Sequence, residues 1–387
     1  MARNSYRRPD PGHIETDSVL LHMEKEIRIA YAQAHREVKR KAIEYMLQFK
    51  IDDLKMRNRR DGGDISNAEY RQWRRSHLLT GQRWVSMEKT LQADLYNADK
   101  IAASIINGHL PEVYAININY GTYQIEHDTH IDTSYTLYDR QTVERLLRDN
   151  PDLLPMQAEV NVTKETRWNK QRMNSAVVQG ILQGETVEEL ADRLSNIVSG
   201  NRNAALRDAA TMATSAQNGG RLDSYKRAQK LGIDLTQRWI ATLDGHTRAS
   251  HRLLDGEECR IGEKFSNGLE FPGDPNGPPE EVYRCRCRTI ASFPDQDFSG
   301  FERNSRLGSM SYSDWKNAKG DEPLFKAARN VNDDFKQQEQ YRKLLGSKKI
   351  PYDIRDFQKI KYEQPDEWKK LKAEAAKKRS ERRKKGK

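Results

Sequence analysis

Cysteine is scarce, with three in 387 residues, too few for the disulfide framework of a secreted scaffold. Long apolar runs are also missing. The longest span four residues, as at Val113–Ile116, against the roughly 20 that a membrane helix needs. No apolar stretch follows the basic residues within Met1–Asp10, so no secretory signal peptide is read there. These absences point to synthesis in a reducing cytoplasm and to no membrane partner. Aromatic residues make up only 8% and charged residues 32%, with a mean hydropathy of −0.96. Such a chain builds modest cores joined by solvated helices. At about 150 residues per domain its length suggests two or three domains.

What is present is an excess of positive charge, +10 overall, and it is concentrated. Residues 369–387 hold eleven Lys or Arg against Glu374 and Glu381, a net of +9, which leaves the rest near neutrality. A tail of this kind suits a polyanion, because bound cations release counterions without reading bases; a solvated end that keeps the chain soluble is the plainer reading. The residues that would meet phosphates are Lys377, Lys378, Arg379, Arg382, Arg383, Lys384 and Lys385. Pro365 suits a first helical turn, with Asp366 and Glu367 near its positive end. Trp368, Leu371 and Ala375 then share one face, a weak one suited to brief docking on a partner.

Along the chain, apolar residues from Val19 to Leu47 recur at threes and fours, which predicts a helix over 17–53 capped by Thr16 or Asp17. Asp61-Gly62-Gly63-Asp64 is a breaker cluster. A second helical stretch runs over 67–106 with a break at Gly81. Val113–Tyr120 and Ser134–Tyr138 are rich in β-branched and aromatic residues and read as strands around Gly121. Glu126, His127, Asp128, His130 and Asp132 crowd the turn between them; their spacing fits a solvated polar hairpin better than a metal site. Helices follow over 168–198 and 204–231. The first contains a capping box, Thr186 to Glu189, and the second ends at Gly232. Gly219-Gly220 requires either a break or the close approach of another backbone.

The densest information lies between Trp239 and Ala291. Residues 239–244 read as a strand, followed by His246, Thr247, Arg248, His251 and Leu254-Asp255-Gly256. A proline-stiffened loop then leads to Cys285-Arg286-Cys287. Strand period two places Cys285 and Cys287 on one face and Arg284, Arg286 and Arg288 on the other. The loop offers a way to bring His251 to that pair. Two readings stay open. In one, His251, Cys285 and Cys287, with Cys259 or Asp244, hold a structural zinc. In the other, the cysteines are small buried apolar groups and His251 hydrogen-bonds the loop. Catalytic motifs are missing. The zinc-deaminase pattern fails, and H-E-x-x-H, G-x-S-x-G and the P-loop are absent. No nucleophile with a nearby base is assigned.

In order, Trp239, Asp244, Thr247, His251, Asp255, Gly256, the loop at Pro272-Gly273-Asp274, and Cys285 and Cys287 resemble the phage Mu protein F-like family of minor head, or head morphogenesis, proteins. The preceding helix, with Ala216, Asn218 and Tyr225, also fits, and the resemblance covers about 168–293. Helical N-terminal regions are usual in that family, and 313–315 and 356–362 look like tail segments of minor capsid proteins. Many relatives place a Cys between the Thr and the His, where this chain has Ala249 and Ser250, and some carry a C-terminal toxin domain, which is not expected here. A distant likeness of the family to ADP-ribosyltransferases finds no matching Arg, Ser-Thr-Ser and Glu constellation. The resemblance implies a non-enzymatic virion component inside the phage head. It would associate with the portal, with capsid or scaffold proteins and with packaged double-stranded DNA. The alternative is a genome-delivered enzyme acting through His251, Asp255, Cys285 and Cys287.

The expected fold is α+β. A long helical region at 1–110 is followed by a β-containing insertion at 111–165 and the small mixed block at 166–295. An extended or helical linker at 296–364 then leads into the basic tail at 365–387, helical and partly disordered.

Overall fold

The computed structural model describes residues 9–79, 82–183, 185–294, 298, 300–320, 331–346, 349–351 and 354–385. The chain divides into two compact units, one of residues 1–122 and 138–297, the other of 123–137 and 298–387. The fold is α+β, dominated by helices. Among the described residues, no helix is long and apolar enough to cross a membrane.

The first unit is organised by three long helices, α1 (Pro11–Asp61), α3 (Gln82–Thr129, whose last turns belong to the second unit) and α6 (Val187–Lys230). Between and around them lie α2 (Asn67–Leu79), α4 (Arg140–Asp149) and α5 (Val162–Gln183). The buried stripe of α1 reads Met23, Ile27, Tyr31, Ala34, Val38, Ala42 and Tyr45. Positions eleven apart repeat, which averages close to the 3.6 residues of a straight helix, so the stripe stays on one face with little supercoiling. It packs into a core with Leu91, Leu95, Ala98 and Ala102 of α3 and Leu190, Leu194 and Val198 of α6.

Helix α1 is longer than the periodicity predicts. It starts at Pro11 behind Asp10, whose side chain accepts from His13 N at 2.9 Å, and it stops at Asp61 ahead of the breaker cluster. Thr16 is not the cap; its hydroxyl donates to Gly12 O at 2.8 Å inside the first turn. The break between the second and third helices lies between Leu79 and Gln82; Gly81 is outside the described residues. The capping box at Thr186 and Glu189 forms as expected. The two helices expected over 168–198 and 204–231 are instead divided before Thr186, and α6 runs unbroken to Lys230. Gly232, at φ 86°, takes the left-handed position behind it.

The strands expected at 113–120 are a correction: this segment is the continuation of α3, which passes through Pro111. Nearly every residue from Leu110 to Glu126 is buried, whichever side of the helix it occupies. A helix buried all round has no polar face, and a continuous apolar run of that kind reads like a buried strand. Its polar groups are satisfied in place: Asn117 Nδ2 donates to Thr16 Oγ1 at 2.7 Å, and Asn119 Nδ2 donates to Tyr138 O at 2.7 Å. Residues 134–138 form no regular strand. The glycine pair resolves in favour of close approach: a Cβ on Gly220 would lie 2.7 Å from Tyr114 O and 3.1 Å from Ile118 N, so α6 meets the backbone of α3 there.

A three-stranded antiparallel sheet closes this unit, with β1 (Thr236–Ile240) between β2 (Glu258–Arg260) and β3 (Arg288–Ser292). Gln237 pairs with Cys259 on one side and Ala291 on the other. Two short helices, α7 (Ala249–Leu253) and α8 (Pro279–Val282), lie in the connections.

In the second unit Glu126 is fully buried. Its carboxylate accepts from Trp315 Nε1 at 2.7 Å and Thr133 N at 2.9 Å, and Lys319 Nζ lies 3.3 Å away. Trp315 and Lys319 sit on α9 (Tyr312–Gly320). The expected solvated hairpin around Glu126, His127, Asp128, His130 and Asp132 is therefore a helix end whose acid anchors a buried ion pair. Among the described residues three further helices follow, α10 (Val331–Leu345), α11 (Ile354–Glu363) and α12 (Pro365–Lys385). Trp368, Leu371 and Ala375 of α12 share a core with Tyr341, Leu345, Ile350 and Phe357. Trp368 stacks on Tyr341 at 5.3 Å and meets Phe357 edge-on at 5.7 Å. The face expected to dock on a partner is thus covered by the chain's own helices.

Candidate functional site

The site is built on the buried half of α6. Asn218 Nδ2 donates to Pro272 O at 3.0 Å and to Cys287 O at 3.2 Å, while its Oδ1 accepts from Thr289 N at 2.9 Å. Thr214 Oγ1 donates to Cys285 O at 2.6 Å, and Thr211 Oγ1 accepts from Arg284 N at 3.0 Å. That last contact helps hold Arg284 at φ 53°, a conformation a long side chain rarely adopts. One helix face therefore clamps the whole Cys-Arg-Cys segment. The segment itself is irregular and β3 begins only at Arg288, but the expected alternation survives: Cys285 and Cys287 are buried, Arg284 and Arg286 exposed. It ends at Arg288, which is buried against Asp10 at 2.8 Å.

Trp239 of β1 lies fully buried between His251 and Phe265, with ring centroids 5.3 and 5.1 Å away. Asp244 and Arg286 form a bidentate pair at 2.5 and 2.7 Å, tying the loop after β1 to the Cys-Arg-Cys segment. Hydrogen bonds from Arg286, the His246 backbone and Thr247 hold the Asp244 carboxyl far below the usual range. Thr247 Oγ1 also donates to Thr242 O. Asp255 Oδ1 accepts from Ala241 N at 3.0 Å, and Gly256, at φ 89°, turns the chain into β2. These motif residues are braces for the loop.

His251, Cys285 and Cys287 come together, an arrangement for which the stiff loop offered a way. The His251 Nδ1 lies 3.6 Å from Cys285 Sγ and 3.4 Å from Cys287 Sγ, all three residues being buried. Neither suggested fourth ligand joins them. Both oxygens of Asp244 are taken by Arg286, and Cys259 Sγ lies by Gln237 Nε2 at 3.4 Å and Glu263 O at 3.7 Å. Asp255 is also outside the cluster, since it braces β1. All three cysteines are free thiols. The residue that sequence reasoning missed is Glu281, whose Oε2 lies 2.8 Å from His251 Nε2. Ser250 Oγ donates to both oxygens of Glu281 at 3.0 and 3.1 Å. An acid two residues beyond the Pro278-Pro279 pair, on a four-residue helix, carries no sequence signal of its role.

Charge is shared unevenly within the cluster. Cys285 pulls the Cys287 thiol below its ordinary value against the opposing effect of burial, and His251 adds to that pull. Burial holds Cys285 well above it. Burial by itself would push His251 down, but Cys287 and Glu281 outweigh it and hold the imidazole above its ordinary value. The cavity beside the cluster, lined by Thr242, His246, Thr247 and Arg248, measures about 10 Å³. That is room for about one water or ion, far below the several hundred Å³ of a small-molecule site. A separate cavity of about 550 Å³ in the first unit is lined by Tyr31, Asp99, Arg172, Asn201 and Arg207, none of which the sequence singled out.

Of the expected phosphate-contacting residues, Lys377, Lys378 and Arg379 are exposed on α12. Arg382, Arg383, Lys384 and Lys385 continue the same helix.

Residues 171–290, which hold α6, most of the sheet and the cysteine cluster, match the family described as Phage Mu protein F like protein. Through this stretch the chain is similar to the Mu protein F-like proteins. It is 26% identical over 195 residues to the Minor head protein GP7 of Bacillus phage SPP1, covering 49% of this chain and 62% of that protein. It is also 32% identical over 122 residues to a protein named NAD(+)--arginine ADP-ribosyltransferase EFV of Enterococcus faecalis, covering 31% of this chain and 25% of that protein. The chain thus spans about a quarter and about three fifths of these two relatives. No solved structure matches it.

Proposed function

We propose that this chain is a non-enzymatic minor head protein that acts in phage head morphogenesis, resides inside the virion and contacts the portal and the packaged genome. What carries this reading is the match of 171–290 to the Mu protein F-like family, together with the 26% identity over 195 residues to a protein named as a minor head protein. The genome contact is assigned to α12. Its apolar face is occupied by Tyr341 and Phe357, which leaves the Lys377, Lys378 and Arg379 edge to solvent. Binding of this kind neutralises phosphates and is indifferent to base sequence. The genome-delivered enzyme is disfavoured by the 10 Å³ cavity beside His251, which admits no organic substrate.

The first test is mass spectrometry of nuclease-treated particles and of empty proheads. A few copies per particle in both are expected; complete absence from both would overturn the proposal. The DNA contact is tested by Lys377→Gln, Lys378→Gln and Arg379→Gln together, because deleting α12 would also strip Trp368 and Leu371 from their core. The logarithmic salt slope of DNA binding should fall by about one for each lost phosphate contact. An unchanged slope would remove Lys377, Lys378 and Arg379 from the DNA interface.

A further inference from the structure

We propose that His251, Cys285 and Cys287 are three ligands of a zinc ion, with Glu281 orienting His251 from behind and the fourth position opening into the small cavity beside His246.

Geometry is the first support. Zinc bound by sulfur at about 2.3 Å and by imidazole nitrogen at about 2.0–2.1 Å, in a tetrahedron, places those ligand atoms about 3.5 Å apart. The observed separations from Nδ1 are 3.6 and 3.4 Å. All three ligand atoms lie within 4.8 Å of one another, and the residues come from segments 34 and 36 positions apart.

The far side of the imidazole is the second support, independent of the first. A ligating histidine generally gives its other ring N–H to a carboxylate, which fixes the tautomer and raises its basicity. His251 Nε2 lies 2.8 Å from Glu281 Oε2 as a close charge pair outside hydrogen-bond alignment, and Ser250 holds that carboxylate in place. Nδ1 faces the two sulfurs. The chemistry of the donors selects among ions: two thiolates and an imidazole favour zinc or cuprous copper over magnesium and calcium, which prefer oxygen. Two thiolates also neutralise a divalent ion, so the buried centre carries no net charge when filled.

A cavity of about 10 Å³ fits one water as the fourth ligand. Thr242 and Thr247 line it, and the exposed His246 stands at its edge. With the water in place the ion staples α7 to the Cys-Arg-Cys segment, in a block whose apolar core consists of Trp239, Leu254, Phe265, Leu269 and Val282 with the two cysteines. A core this small gains from a metal clip.

The test uses the full chain. It is stripped with a chelator under reducing conditions, dialysed against excess zinc and analysed for metal by mass spectrometry; cobalt loading is followed by absorption. About one zinc per chain is expected, together with thiolate-to-cobalt charge-transfer bands and the intense visible bands of tetrahedral cobalt. Cys287→Ser and Cys285→Ser should lose both signals, Cys259→Ser should keep them, and Glu281→Gln should weaken zinc affinity by about 10- to 100-fold. Less than about 0.1 equivalent of zinc in the reconstituted wild type would overturn the proposal. So would copper retained in preference to zinc, or equal loss in Cys259→Ser. The wild-type reconstitution decides the question even if the cysteine variants fail to fold, and failure here leaves the head-protein assignment untouched.

Discussion

Asp10 is the sharpest point at which to perturb the first unit. It caps α1, and it faces two buried guanidiniums, Arg221 at 2.7 Å and Arg288 at 2.8 Å, more than two hundred residues away in sequence. Burial would raise its carboxyl, but Arg221 and then Arg288 outweigh that and hold it at about 2. Against an ordinary value of 3.8, this corresponds to about 2 kcal/mol of stability at neutral pH. Asp10→Asn keeps an acceptor for His13 N but loses the charge and the second oxygen that accepts from Arg221 and Arg288, so it should cost at least about 2 kcal/mol. Asp10→Ala also loses the cap, worth about 1 kcal/mol, and leaves Arg221 buried without its carboxylate, for a total of about 3–5 kcal/mol. The folded value is depressed, so the stabilisation is complete above about pH 4 and is lost as pH falls toward 2. The gap between wild type and Asp10→Asn should close across that window. Urea titration with pulsed hydrogen exchange reads this locally: the midpoint for peptides from α6 should shift, and peptides from α12 serve as an internal control. An Asp10→Asn variant within about 0.5 kcal/mol of wild type at pH 7, or a penalty that persists undiminished toward pH 2, would refute the argument.

Asp99 behaves in the opposite sense. Burial raises its carboxyl to about 6, although Tyr31 O–H donates to it at 2.6 Å. The folded protein therefore binds a proton more tightly there than the unfolded chain does, and stability falls as pH rises from about 4 to about 6. Asp99→Asn should stabilise the protein by about 1–3 kcal/mol at pH 7 and should flatten that pH dependence; equal or lower stability in urea melts at pH 7 would count against it. Gly220→Ala adds helix propensity but drives a methyl to 2.7 Å from Tyr114 O. A net loss of about 1–3 kcal/mol is expected from thermal unfolding, and a more stable variant would show that α3 and α6 are not in backbone contact there.

Much of this architecture follows from local rules. The α1 stripe, the Thr186 capping box, the breaker cluster after Asp61 and Pro365 at the first turn of α12 are each decided within a few residues by period, cap chemistry or a missing N–H, so they are readable in the chain itself. A proline-stiffened loop limits where its ends can go, which made the meeting of His251 with Cys285 and Cys287 one arrangement open to the chain. Other features depend on neighbours far away in sequence. Residues 113–120 are β-formers by composition and helix by burial, because α6 and α1 surround them and leave no polar face to betray the period. The cap of α1 is Asp10 rather than Thr16 because Arg221 and Arg288 are waiting for a carboxylate. Glu281 becomes the partner of His251 only once the loop has closed. Local periodicity and capping thus settle where helices start and run. Which buried charges find partners, and which ring nitrogen is left for the sulfurs, is settled by tertiary packing, because burial raises the cost of every unpaired polar group and is itself a property of the whole fold.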